Sequence, residues 1–185
     1  TVQYLITSTS GSGCTATSSV LVTVNPLPTI VVSPETICSG TATNVAITGV
    51  GAYSWTVGTI TGGITGATAG SGSAIAQTLT NPSNTVVGTV QYLITSTSSE
   101  GCTVTSSVLV TVNPLPTIVV NPETICSGET TNVSITGVGS YSWTVGTVTG
   151  GISGATAGSG SLIAQALSNS SNIAVGTVQY LITAT

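Results

Sequence analysis

The sequence repeats itself at a period long enough to be a domain. Residues 1–88 align with residues 89–176 without a gap, and 72 of the 88 positions are identical. A third copy begins at Thr177, where Thr-Val-Gln-Tyr-Leu-Ile-Thr returns after Thr1 and Thr89. Whatever fold one period adopts must therefore recur along the chain. Near-identity of this order points to recent duplication and to an array with more copies than these.

Within each period the pattern is that of strands. Val2, Tyr4 and Ile6 alternate with Gln3 and Leu5, and Val20, Val22 and Val24 alternate with Leu21 and Thr23. Each apolar set thus shares one face of an extended chain. Further strand-like runs cover residues 29–33, 44–48, 53–57 and 74–80, all short, rich in β-branched residues and bounded by Gly, Asn, Ser or Pro. The Gly-rich stretch 58–73 holds Thr-Gly-Gly and Gly-Ser-Gly turns and no helical period. About six to eight short strands in such a unit match one immunoglobulin-like sandwich. The expected fold is all-β: tandem Ig-like β-sandwich domains with an 88-residue repeat.

Asn25-Pro26-Leu27-Pro28 recurs as Asn113-Pro114-Leu115-Pro116. Proline has no amide hydrogen for a ladder and fixes an extended backbone, so Pro26, Pro28, Pro114 and Pro116 read as short, stiff interdomain joints. Cut there, residues 1–26 are the final two strands of a preceding repeat, residues 27–114 a complete repeat, and residues 115–185 a repeat lacking its last strand. Thr1 opens directly into a strand pattern with no signal peptide, so the numbering is expected to begin inside a longer or processed chain.

What such an array can do is limited by the residues it lacks. There is no Lys, Arg or His, and the four acidic residues are all Glu. Charged residues make up 2% of the chain, where an ordinary soluble domain carries about 25%. Without His, Lys, Arg and Asp there is no Ser-His-Asp triad, no Schiff base, no imidazole acid or base and no arginine clamp. Catalysis is not expected, and no cofactor is implied. Nucleic-acid binding rests on Lys and Arg neutralising phosphates, so no nucleic-acid partner is expected either. A polybasic membrane patch fails for the same reason. No apolar run approaches the roughly 18 residues of a spanning helix, so membrane insertion is not expected. Hydrophobic residues make up 40% of the chain, which separates it from disordered sequences.

A series of short motifs follows in fixed order: Pro34-Glu35-Thr36-Ile37-Cys38-Ser39-Gly40, Tyr53-Ser54-Trp55, Gly88-Thr89-Val90-Gln91-Tyr92, Gly101-Cys102, and Val110-Thr111-Val112-Asn113-Pro114. In them the chain resembles the PKD-like and Ig-like tandem repeats of very long secreted surface proteins of Bacteroidota, including gliding-type adhesins. The resemblance covers the whole chain. It implies an Ig-like (PKD-like) β-sandwich and an extracellular, secreted, cell-surface location, often reached by the type IX export system. PKD domains commonly carry an acidic Trp-Asp-Phe-Gly-Asp-Gly segment, whereas Trp55 is followed by Thr56-Val57-Gly58 and there is no Asp anywhere. Calcium sites of that kind are not carried over.

Trp55 and Trp143 sit mid-strand between Tyr and Val, and are expected to pack between the two sheets. A sugar-stacking role is the alternative, but all seven aromatic residues fall on core-like strand positions. Cys38 and Cys126 precede the second strand of their domains, and Cys14 and Cys102 follow Gly in the turn between the last two strands. With no Cys-x-x-Cys and no His, a zinc site is not expected. One cysteine of each type per repeat in an extracellular setting reads as a disulfide framework. Cys38–Cys102 is the simplest intradomain pairing. Against it, an Ig sandwich places the first turn and the last hairpin turn at opposite poles, roughly 20 Å apart, beyond the reach of about 7 Å that a disulfide allows. The same geometry sets the first-turn cysteine beside the hairpin cysteine of the next domain, so a staple between successive domains is the competing pairing. Glu35 and Glu123 occupy equivalent positions beside Pro, and Glu100 and Glu129 have no counterpart. Four carboxylates do not make a dedicated calcium site.

Tandem sandwiches without chemical equipment are expected to do mechanical work. The expected partners are copies of the chain itself, as a homopolymer or a continuous array, because no Lys guards the edge strands and little charge opposes lateral packing. Donation of residues 18–25 of another copy to residues 115–185 would be one form of this. The alternative is an adhesin stalk or a carbohydrate- or surface-binding repeat, with the loops 58–73 and 146–161 as a rim. Whether a glycan coat covers the hydroxyl-rich surface stays open; Asn132 and Asn169 begin formal sequons that their equivalents Asn44 and Asn81 do not.

Overall fold

The computed structural model describes residues 1–185, and every regular element in it is a β-strand. The chain opens with β1 (Val2–Thr9) and β2 (Thr15–Val22), an antiparallel hairpin in which Val2 faces Val22 and Tyr4 faces Val20. The hairpin pairs with no further strand. Its apolar face is consequently open: Val2, Tyr4, Ile6, Val20 and Val22 are 41% to 57% exposed.

The middle unit holds β3 (Thr29–Val31), β4 (Glu35–Cys38), β5 (Val45–Ala46), β6 (Thr48–Val50), β7 (Ala52–Thr61), β8 (Gly70–Ser71), β9 (Ala74–Ile75), β10 (Gly88–Thr97) and β11 (Thr103–Asn113). One sheet runs β4-β11-β10-β7-β8, and the pairs β3-β6 and β5-β9 face it. At the break between β5 and β6, Ile47 is buried and its N–H donates to the Ser73 carbonyl, which carries the pairing through. The stretch 58–73, expected as turns, instead carries the end of β7 and all of β8.

The core lies where alternation placed it. Val90, Tyr92 and Ile94 on β10 are fully buried, as are Val110 and Val112 on β11, with Val108 at 3% exposure. They meet Val45, Ile47, Ile75 and Leu79 from the other layer in one cluster of 12 buried residues. Full burial of each such side chain stabilises by about 1.5–3 kcal/mol. The outward set between them, Leu93 and Leu109, is 45% exposed.

The last unit repeats the plan with β12 (Thr117–Val120), β13 (Val133–Val138), β14 (Tyr141–Val148), β15 (Ile152–Ser153), β16 (Gly158–Ser159), β17 (Leu162–Ile163), β18 (Ser168–Asn169) and β19 (Val178–Ala184). Its sheets are β12-β13-β17 and β16-β14-β19, with β15-β18 as a small third pair. Only Ile135, Trp143 and Ile163 form its buried cluster. The counterparts of the buried residues on β10, namely Val178, Tyr180 and Ile182, are half-buried.

Candidate functional site

No group of three or more His, Cys, Asp or Glu side chains comes together anywhere in the fold. What the chain presents instead is edges, poles and the contacts that hold them.

Trp55 and Trp143 are 7% and 6% exposed, inside their units. Each indole N–H donates to a carbonyl 13 residues on, Trp55 to Thr68 and Trp143 to Thr156, both over 3.2 Å. Gly70 lies flat against the first ring, where an added Cβ would stand 2.6 Å from Cζ2. Gly158 does the same for Trp143. Buried rings of this kind offer no face to a sugar.

A hydrogen-bonded tie joins the layers beside each Trp. The Tyr92 hydroxyl donates to Gln77 Oε1 over 2.8 Å, while Gln77 Nε2 donates to the Thr68 carbonyl over 2.7 Å. Gln77 Oε1 also accepts the Thr68 N–H over 2.9 Å. Burial pushes the Tyr92 phenol above its ordinary value, and does the same to Tyr180.

Glu35 and Glu123 have a role the sequence reading did not find. The Glu35 carboxylate accepts the Asn44 N–H on both oxygens, over 2.9 and 3.1 Å, and Glu123 accepts the Asn132 N–H over 2.8 Å. Their signal was available: a Glu nine residues before Asn in both copies. Glu100 sits fully in solvent, and the Ser99 hydroxyl donating to it lowers its carboxyl below the usual range.

The structure does not bring the cysteines together; all four are unpaired. Cys38 ends β4, inside a strand rather than before one. Because β4 runs parallel to β11, Cys38 lies opposite Asn113, at the far end of that strand. Cys102 immediately precedes Thr103, the first residue of β11. The 11-residue length of β11 lies between them, roughly 36 Å at about 3.3 Å per residue. Cys14 occupies the corresponding turn of the first hairpin, and Cys126 is exposed with its N–H donated to Glu129 Oε2 over 2.8 Å.

Of the four joint prolines, Pro28 is buried in the middle unit, where a Cβ on Gly51 would stand 3.2 Å from its own. Pro116 is exposed, although a Cβ on Gly139 would stand 3.0 Å from its own. Pro26 is exposed and Pro114 half-buried. An open groove runs beside Pro28, between Leu27, Val50 and Glu100.

The remaining feature is an edge. β19 pairs with β14 on one side and with no strand on the other. In the middle unit the corresponding side of β10 is filled by β11.

Residues 31–116 match the family model described as a PKD-like domain. Among solved structures, the protocadherin gamma B2 extracellular cadherin domains 3-6 align with 97% of this chain at 11% identity and a TM-score of 0.41. The chain spans 57% of that one. A search of curated proteins finds no match.

Proposed function

We propose that this chain is a structural protein without catalytic function: tandem β-sandwich repeats of an extracellular filament, in contact with copies of itself. The observation that carries the reading is the near-identity of the repeats, 72 of 88 positions, in a chain with no Lys or Arg to guard its strand edges.

The rest of the surface supports the same reading. A net charge of −4 over 185 residues gives little mutual repulsion between copies. The PKD-like match of residues 31–116 is in keeping with a module outside the cell, where the two cysteine types of each repeat would be oxidised. A staple from the Cys38 position of one repeat to the Cys102 position of the next belongs to this proposal, since the two sites lie at opposite poles of one unit.

Electron microscopy of the purified protein, before and after reductant, tests it. Long uniform fibres with an axial repeat of some tens of Å are expected, loosening on reduction. Separate, flexible beaded chains would overturn the filament and favour an adhesin stalk.

A further inference from the structure

We infer that the outer face of β10 and β11 in the middle unit is where two copies of this chain lie against each other, an inference that rests on the self-association proposed above. Both strands have a paired neighbour on each side, β7 beyond β10 and β4 beyond β11. Their inward residues fill the core, while the outward Leu93 and Leu109 are 45% exposed. Leu93 pairs with Ser107 and Leu109 with Gln91, so the two leucines are diagonal neighbours. Thr95 pairs with Thr105 at one end of them, and Thr89 with Thr111 at the other. A half-turn about the sheet normal therefore exchanges Leu93 with Leu109 and Thr95 with Thr111. No residue of β7, β10 or β11 carries a charge.

A second copy laid on this pattern with its strands aligned interlocks with the first. Turned over about either axis in the plane of the sheet, its two leucines fall over Ser107 and Gln91, the free diagonal, and miss Leu93 and Leu109. Both positions are shallow. Ser107 is small, and Gln91 folds across Gly58, where its Oε1 would stand 2.9 Å from an added Cβ. The contact desolvates no charge, so leucine burial is not offset by that penalty. Area decides how many repeats must engage. The three strands are 10, 10 and 11 residues long, and at ordinary strand spacing their outer face covers roughly 500 Å². A stable interface takes about 800 Å² from each partner, so one repeat falls short and two in succession suffice. Leucine returns at the same places in the sequence, as Leu5, Leu21 and Leu181, and pairing gains strength with each repeat engaged. The same face serves both partners, so the contact closes at two chains abreast.

Sedimentation velocity over a concentration series, with hydroxyl-radical footprinting of the species found, tests the face. Paired chains are expected, with oxidation of Leu93 and Leu109 falling about threefold or more on pairing, because an interface core excludes water. A Leu93→Glu, Leu109→Glu double variant is expected to weaken pairing by about tenfold or more, since it carries charge into an apolar contact. Val31→Glu sets a charge on the outside of the other layer, at a residue 62% exposed, and should leave pairing unchanged. Trp55 lies in the core of the same unit, so its unchanged fluorescence reports that the variants remain folded. Equal loss of pairing in both variants would trace the contact to low charge in general and overturn the face. Association with both leucines still freely oxidised also overturns the face and leaves the filament standing. A chain that stays single at every concentration overturns both.

Discussion

Tyr180 donates its hydroxyl hydrogen to Gln165 Oε1 over 2.8 Å, across the two layers of the last unit. Tyr92 makes the same bond to Gln77 at the same length. The environments differ: Tyr92 is fully buried on β10 with β11 paired beside it, and Tyr180 is half-buried on β19. The tie is therefore made by the two layers themselves and does not wait for a flanking strand.

Alkaline pH should separate folded from unfolded chain through these phenols. Burial raises both folded values above the unfolded one. The unfolded chain thus releases its phenolic protons first, and the stability they contribute is full below about pH 10 and lost as pH rises through the folded values. Thermal melts followed across that range should show a flat neutral plateau and an alkaline decline. Tyr92→Phe should flatten part of the decline. If tyrosinate absorbance rises in the folded protein as in free tyrosine, the burial argument fails.

Gly70→Ala should destabilise the middle unit through Trp55 alone. The added methyl would stand 2.6 Å from Cζ2 and 2.9 Å from Cε2 of the ring, and Gly70 has no positive φ to add backbone strain. Overpacking of this kind costs about 1–3 kcal/mol. Denaturant unfolding followed by Trp fluorescence reads it, and Gly158→Ala should act in the same way on Trp143. A change near zero would show that the indole can shift without loss of its bond to Thr68.

Peptide mapping of material oxidised with glutathione disulfide should yield no Cys38–Cys102 link within a unit, because the length of β11 separates them. Links expected in assembled material join Cys38 to the hairpin-turn cysteine of another repeat or copy, Cys14 or Cys102. Recovery of a Cys38–Cys102 link from monomeric protein would mean that β4 does not lie beside the end of β11.

Much of the fold was legible because alternation is a local signal. Val2, Tyr4 and Ile6 were grouped on one face from spacing alone, and their copies Val90, Tyr92 and Ile94 line the core. The limit appears at Glu-Thr-Ile-Cys. At residues 35–38 it is a strand and at residues 123–126 it is not, although the letters are identical. A strand is defined by its neighbour, and no window of sequence contains the neighbour. Gly70 was hidden for a related reason, since it was read as a turn glycine, yet it lies within β8 against an indole 15 residues earlier. The carboxylates escaped notice because their partners are backbone amides, which leave no mark in the letters.

The parallel pairing of β4 with β11 also fixes how a unit resists tension. A pull on the chain arrives from the side of β3 and leaves through the end of β11. Because the two strands run the same way, opposed forces slide one along the other instead of peeling them apart. Glu35 through Cys38 and Val110 through Asn113 are then strained together, four residue pairs at once. Shear of this kind yields at far higher force than unzipping, which breaks one rung at a time. The middle unit is thereby a clasp loaded in shear across β4 and β11.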